Sequence, residues 1–245
     1  MIKAVIFDLD GTLVETEHLK AMSYAKAALE LCSSCATEEE VINAFKELVG
    51  RSRHEVAQAL VERFRLAEAA RARMAEFGVS TPWQAYVQIR LRIFDTMMAD
   101  PETIKESRCP EAIAILEETR RLGLRTALTT TSTCKATTHI LRVLDLGKEF
   151  EFKATADDVE HTKPDPEIYF LTLRHLDVPP KECVALEDSL PGVQAASAAE
   201  VWCIAVPTSF TRDAVEKAKI LDPKWIVDEP LESVFKRMLA ERAKD

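Results

Sequence analysis

Polar and apolar positions along the 245-residue chain fall into two textures. The first 14 residues carry one short apolar run, Ala4-Val5-Ile6-Phe7, followed by a Gly turn at Asp10-Gly11, which reads as a buried strand ending in a loop. From about residue 16 to about residue 100 the pattern is helical throughout, with almost no β-branched runs. A stretch rich in Ala, Glu and Arg runs from His54 to Phe77, and within it Val56, Leu60 and Phe64 recur at i+4, predicting one buried helix face. Gly78-Val79-Ser80-Thr81-Pro82 ends that stretch, with Thr81 as N-cap and Pro82 at the first position of the next helix.

Beyond about residue 108 strands and helices alternate. A helix is expected over Glu111–Leu122, closed by Gly123, then a strand at Arg125–Thr129 and a helix around Cys134–Leu144 ending near Gly147. Phe152–Thr155, Cys183–Leu186 and Trp202–Val206 read as further strands, separated by helices at Asp165–Leu176 and Gly192–Ala199. Trp225–Val227 and a C-terminal helix from Leu231 complete the pattern. Short apolar strands alternating with helices specify parallel β/α units with right-handed crossovers. The fold class is therefore α/β: a Rossmann-like parallel sheet core, residues 1–15 and 106–245, with an all-helical cap, residues 16–105, inserted after the first strand.

Composition narrows the function classes. The chain is 47% apolar and 30% charged, as in ordinary globular proteins, and its net charge of −9 argues against nucleic-acid or anionic-membrane partners. No apolar run approaches the roughly 20 residues that span a bilayer, and the N-terminus lacks a secretory signal pattern. The six cysteines are scattered and read as reduced thiols of a cytoplasmic protein. Cys32-Ser33-Ser34-Cys35 has CxxC spacing, but no second Cys/His pair accompanies it, so incidental cysteines at a helix end are expected there.

Ligands of open α/β sheets bind beyond the carboxyl ends of the strands, so the residues just past each strand carry the chemistry. After the first strand come Asp8, Asp10, Gly11 and Thr12; after the second, Thr130, Thr131 and Ser132; after the third, a loop with Lys163-Pro164; after the fourth, Glu187, Asp188 and Ser189. Asp8 and Asp10 are like charges at the end of a buried strand, costly to ionise unless a cation lies between them. The whole set suits a Mg²⁺ ion and a phosphoryl group. Asp8, Asp188 and Glu187 supply oxygen ligands for a hard dication. The hydroxyls, ahead of a helix N-terminus, offer donors to phosphate oxygens, though Ser132 or Thr133 can equally cap that helix. Lys163 provides fixed positive charge, one carboxylate can serve as nucleophile, and the second as general acid and base.

In this order, Asp8-Leu9-Asp10-Gly11-Thr12, Thr130, Lys163-Pro164-Asp165-Pro166 and Glu187-Asp188-Ser189-x-x-Gly192 resemble the four signature motifs of the haloacid dehalogenase superfamily. The resemblance is to its helical-cap phosphatases and mutases, of the phosphoglycolate phosphatase and β-phosphoglucomutase type. It implies that Asp8 is the nucleophile and Asp10 the acid/base. It also implies Mg²⁺ held by Asp8, the Asp10 main-chain carbonyl and Asp188 with help from Glu187, and phosphate held by Thr130 and Lys163. Gly11, Thr131, Ser132, Thr16, Lys20 and Arg51 complete the candidate phosphate- and substrate-binding set. Arg51 is chosen because Gly50-Arg51-Ser52 resembles the loop through which related caps read substrate; a surface arginine is the alternative. Gln84, Tyr86 and Arg90 lie on a cap helix without an assigned role.

Asp10 favours phosphate-ester chemistry over dehalogenation, which needs no acid for an alkoxide leaving group. β-Phosphoglucomutases share Thr16 but place a histidine where this chain has Lys20, which favours water as the acceptor. The expectation is a Mg²⁺-dependent phosphatase acting on a small-molecule phosphate ester, a phosphorylated sugar or similar metabolite, through an aspartyl-phosphate. A phosphosugar mutase and a non-enzymatic phosphometabolite-binding protein are the alternatives. Oligomeric state is unreadable.

Overall fold

A computed structural model describes residues 1–49 and 51–243, so Gly50 of the expected Gly50-Arg51-Ser52 loop lies outside the described residues. The elements run β1 (Ala4–Phe7), α1 (Thr16–Leu31), α2 (Glu38–Lys46), α3 (Arg53–Arg63), α4 (Ala67–Ala72), α5 (Met74–Phe77), α6 (Pro82–Ala99) and α7 (Pro101–Glu106). There follow α8 (Pro110–Arg121), β2 (Arg125–Thr129), α9 (Cys134–Val143), β3 (Phe152–Ala154), α10 (Glu167–Leu176), β4 (Cys183–Glu187), α11 (Leu190–Ala198), β5 (Trp202–Ala205), α12 (Arg212–Ala218) and α13 (Leu231–Arg242). The chain divides into two compact units, Met1–Glu15 with Ile104–Asp245, and Thr16–Thr103.

The first unit is the α/β core. Its five strands are all parallel, in the order β3-β2-β1-β4-β5, so β1 lies at the centre, paired with β2 along one side and β4 along the other. β1 is buried at all four positions because both faces of such a sheet are covered. On the face bearing Ala4 and Ile6 the core continues into Ile168, Tyr169 and Leu173 of α10 and Val193 and Ala196 of α11. Phe7 points the other way and meets Phe150 edge-on at 6.0 Å. In register, Phe7 pairs with Leu128 and with Leu186. One residue further along, Asp8, Thr129 and Glu187 therefore end three adjacent strands at one level.

Glu200, after α11, adopts φ +58, a strain of about 1 kcal/mol for a non-glycine residue. The expected Trp225–Val227 strand is reduced to a single bridge between Ala205 and Ile226, because a 3₁₀ turn over Pro223–Trp225 takes up the preceding residues.

The second unit is entirely helical among its described residues. Thr81 and Gln84 form a capping box at the start of α6, with Pro82 at the first helical position as expected. The His54–Phe77 stretch is not one helix. Val56 and Leu60 are buried, but Phe64 ends α3 half-exposed, Arg65 turns to φ +55, and Leu66 takes the buried place. The i+4 pattern described α3 correctly and failed where the chain reversed. The expectation of six reduced thiols is also corrected: Cys32 and Cys35, three residues apart at the end of α1, form a disulfide. The turn that closes α1, with the Cys35 amide donating to the Cys32 carbonyl at 3.2 Å, brings their Cα atoms to 5.4 Å, within bridging range. The other four cysteines are free. Among the described residues, no helix is long and apolar enough to cross a membrane.

Candidate active site

The site begins with the turn that follows β1. Gly11 sits at φ +85, and its amide donates to the Val14 carbonyl at 2.7 Å, curling Leu9–Val14 tightly back on itself. A side chain there would fail twice. Beyond the backbone strain, an added Cβ would lie 2.2 Å from Asp188 Oδ2. Gly192, at the start of α11, plays the same part toward Glu187, whose Oε2 would lie 1.8 Å from an added Cβ. Two of the chain's six glycines are thus shaped around the two acids at the end of β4.

Lys163 ties the strand ends together. Its ammonium donates to Asp8 Oδ1 at 2.7 Å, to the Thr129 carbonyl at 2.9 Å and to Glu187 Oε1 at 2.6 Å. These are the three residues that the sheet register brings level. All three ammonium protons are therefore in use, and Lys163 is almost wholly buried. The Tyr169 hydroxyl on α10 donates to the same Glu187 oxygen. Tyr169 was missed from sequence. Its signal was a tyrosine on the buried face of an amphipathic helix six residues after Lys163, since a buried phenol needs an acceptor.

Asp8, Glu187 and Asp188 bring one carboxylate oxygen each within 4.8 Å of one another, and their exposures are 6%, 0% and 3%. Burial pushes the Asp8 carboxyl up to about 8; Lys163 opposes the shift, and the charges of Glu187 and Asp10 add to it. For Lys163 burial works against the charge, but Asp8 and Glu187 outweigh it and raise its pKa. Tyr169 is raised well above the phenol range by burial and by Glu187, so its proton stays to be donated. Three carboxylates facing one ammonium are electrostatically incomplete, and the buried oxygen-only donor set, cradled by Gly11 and Gly192, fits a hard divalent cation.

Asp10 is oriented differently. Its Oδ2 accepts from Thr130 Oγ1 at 3.1 Å and from Ser132 Oγ at 2.7 Å, and Asp10 is not one of the clustered acids. Thr130 and Ser132, expected to face a phosphate, hold the Asp10 carboxylate in this structure, and the Ser132 amide donates to Thr130 Oγ1 at 3.0 Å. Thr133, not Ser132, caps α9. Thr131 is exposed on the loop.

Of the expected site residues, Asp8, Asp10, Gly11, Thr130, Ser132, Lys163, Glu187 and Asp188 converge at the strand ends of the core. Thr16, Lys20 and Arg51 belong to the helical unit, where Lys20 pairs with Glu17 at 2.6 Å and lines one cavity together with Arg51.

A family model described as a hydrolase, haloacid dehalogenase-like hydrolase, matches residues 2–200. The protein CbbY of Cereibacter sphaeroides is 33% identical over 217 residues, covering 86% of this chain and 87% of that protein. A phosphorylated carbohydrates phosphatase of Thermotoga maritima is 30% identical over 200 residues, 82% of either chain. The crystal structure of CbbY from Rhodobacter sphaeroides in complex with phosphate superposes with a TM-score of 0.57 at 29% identity, over 86% of this chain and 89% of that one.

Proposed function

The chain belongs to the haloacid dehalogenase-like hydrolases, and from that premise we propose that it is a Mg²⁺-dependent phosphatase of a small phosphorylated metabolite, a sugar phosphate or a close analogue. One observation carries the reading. Two aspartates one residue apart have opposite surroundings: Asp8 is buried among Lys163, Glu187 and Asp188, while Asp10 is held by two hydroxyls outside that cluster. Divided environments divide the roles of paired carboxylates. The phosphatase named among the relatives supports the same reaction class.

Asp8, Glu187 and Asp188 would hold the cation, with the Asp10 main-chain carbonyl as a further ligand. When bound, Mg²⁺ supplies positive charge that keeps the acids ionised and neutralises phosphate oxygens. Lys163 occupies Asp8 Oδ1, which fixes the carboxylate and leaves its other oxygen to attack phosphorus. As that P–O bond forms, the P–O bond to the leaving group breaks, and Asp10 gives its proton to the departing oxygen. Asp10, now a carboxylate steadied by Thr130 and Ser132, takes a proton from water, which attacks the aspartyl-phosphate. Free phosphate leaves and Asp8 is restored.

The test is phosphate release from para-nitrophenyl phosphate by the purified protein, with Mg²⁺ and after chelation by EDTA. Turnover that requires Mg²⁺ supports the proposal, and full turnover in chelator overturns its metal. For the mutase alternative the deciding readout is the product: an isomeric sugar phosphate with no free phosphate would replace hydrolysis by transfer. Lys20, bound to Glu17 where mutases of this type carry histidine, favours water.

A further inference from the structure

The helical unit carries a covalent link that takes no part in the candidate active site. Cys32 and Cys35 close a disulfide across Cys32-Ser33-Ser34-Cys35, where α1 ends and the chain lies at the surface. The other four cysteines form no such bond. Burial pushes the Cys109 and Cys183 thiols up to about 12 and raises Cys203 well above the thiol range. Cys134 is exposed but stands alone.

The surroundings of the link decide what it can do. The Cys32 amide still donates to the Ala28 carbonyl at 2.9 Å, so the bridge sits on the last turn of α1. Its sulfurs lie at the negative end of a 16-residue helix whose last turn carries no basic residue. No lysine or arginine occurs between Lys26 and Lys46, and Glu38, Glu39 and Glu40 open α2. Arg73 and Arg92, which reach this end of α1, are both paired with Glu30. A thiolate gains little there, the reverse of CxxC sites whose helix N-terminus lowers a thiol and makes it a catalyst. The disulfide is therefore the resting form, and a thiolate from outside is needed to open it.

The two sulfurs are not equivalent. Cys35 is exposed, whereas Cys32 is half-buried with Ser34 Oγ 3.8 Å from its Sγ. A disulfide sulfur has no proton, so Ser34 is the donor in that contact. Attack at Cys35 thus expels a Cys32 thiolate that already has a hydrogen-bond donor beside it.

We infer that Cys32–Cys35 is a site of reversible thiol–disulfide exchange with a dithiol, attacked at Cys35 and releasing Cys32. The reductant's thiolate bonds to Cys35 Sγ as the S–S bond breaks, and the electron pair departs on Cys32 Sγ, which takes up a proton. The second thiol of the reductant then displaces Cys35 Sγ. The dithiol ends as its own disulfide, and the protein gains two electrons and two protons. A disulfide oxidant reverses the sequence. Opening the link releases the last turn of α1, where Glu30 holds Arg73 and Arg92. No residue of the candidate active site enters, so the inference stands apart from the phosphatase reading.

The experiment uses the folded full chain, with dithiothreitol as the dithiol and iodoacetamide alkylation read by peptide mass spectrometry. Before reduction Cys134 is alkylated while Cys32 and Cys35 stay linked. After reduction both are alkylated, buried Cys183 and Cys203 are not, and oxidised glutathione restores the link within one chain. Glutathione, a monothiol, applied together with iodoacetamide should leave its adduct on Cys35 and the alkyl group on Cys32; the opposite labelling overturns the direction of attack. In a second arm, the oxidised wild type should melt about 2–6 °C above the reduced form. The double variant Cys32→Ser/Cys35→Ser should melt with the reduced form and ignore dithiothreitol. The inference is overturned if Cys32 and Cys35 are alkylated before reduction, or if dithiothreitol leaves them linked in the folded protein. A reductant shift as large in the double variant as in the wild type would overturn the release of α1.

Discussion

The Lys163 ammonium lies 2.7 Å from Asp8 Oδ1 with both groups withdrawn from water, and the same ammonium spends its remaining protons on the Thr129 carbonyl and on Glu187. This pair sets the one ammonium against the clustered acids. Lysine alone does not complete that balance, since burial still lifts Asp8 to about 8.

Replacing Asp8 by Asn should separate chemistry from stability. Loss of the proposed nucleophile should lower kcat for para-nitrophenyl phosphate by about 10⁴-fold or more. Because an unfavourable buried charge is removed, the variant in EDTA at pH 8.5 should be more stable than the wild type by about 0.5–2 kcal/mol. Urea melts read the second quantity, and a variant less stable than wild type would count against the raised Asp8.

The pH dependence has a definite sign. Asp8 is raised from 3.8 when unfolded to about 8 when folded, so its contribution to stability is full below 3.8 and is lost as pH rises through 8. Lys163 is also raised, so its contribution persists over this whole range and is lost only in strong base. Melting temperatures in EDTA should fall between pH 5 and pH 8 relative to those of Asp8→Asn, and the stabilisation by Mg²⁺ should grow over the same interval. A Mg²⁺ shift independent of pH would place the metal elsewhere.

Removing Lys163 should be costly in a way that arginine does not repair. Lys163→Met leaves Asp8 and Glu187 facing each other unpaired, a loss of about 3–5 kcal/mol in metal-free protein. Lys163→Arg presents a planar fork where a point donor meets three separate acceptors, so it should recover little of either stability or kcat. Recovery close to wild type would mean that charge alone matters at this position.

Two alanine substitutions contrast crowded with open glycines. Gly192→Ala drives a methyl into Glu187 Oε2 and should destabilise by about 1–3 kcal/mol and reduce kcat. Gly147→Ala meets nothing within 4 Å and should be neutral or stabilising by up to about 1 kcal/mol. Equal effects in the melting curves of the two variants would refute the cradle.

Ser132→Ala tests the Asp10 harness. A hydrogen bond to a carboxylate is lost while Thr133 still caps α9, so kcat should fall roughly tenfold with the melting temperature nearly unchanged. An unchanged kcat would show that Thr130 alone suffices.

The α/β core and the acids that converge at its strand ends were legible because the signal was local: an apolar run that stops at a carboxylate marks a strand end, whichever strand lies beside it. What was not legible depended on neighbours brought in by the fold. Nothing in Thr130-Thr131-Ser132 says that two of its hydroxyls turn to Asp10, 120 and 122 residues away. Tyr169 joined the site only because α10 packs on the face of the sheet behind Glu187. The reversal at Arg65 was invisible to an i+4 count, since Phe64 is as apolar as the Leu66 that replaces it in the interior.

The three acceptors of Lys163 come from strands that are neighbours in space but far apart in sequence, and the lysine itself comes from a loop between two of them. The knot can close only after the crossovers on both sides of β1 have been wound. No fragment ending before residue 187 can assemble it. Catalytic competence should therefore appear late in refolding and all at once, behind the helical signal, which makes turnover a reporter of sheet completion in a chain whose helices form from local contacts.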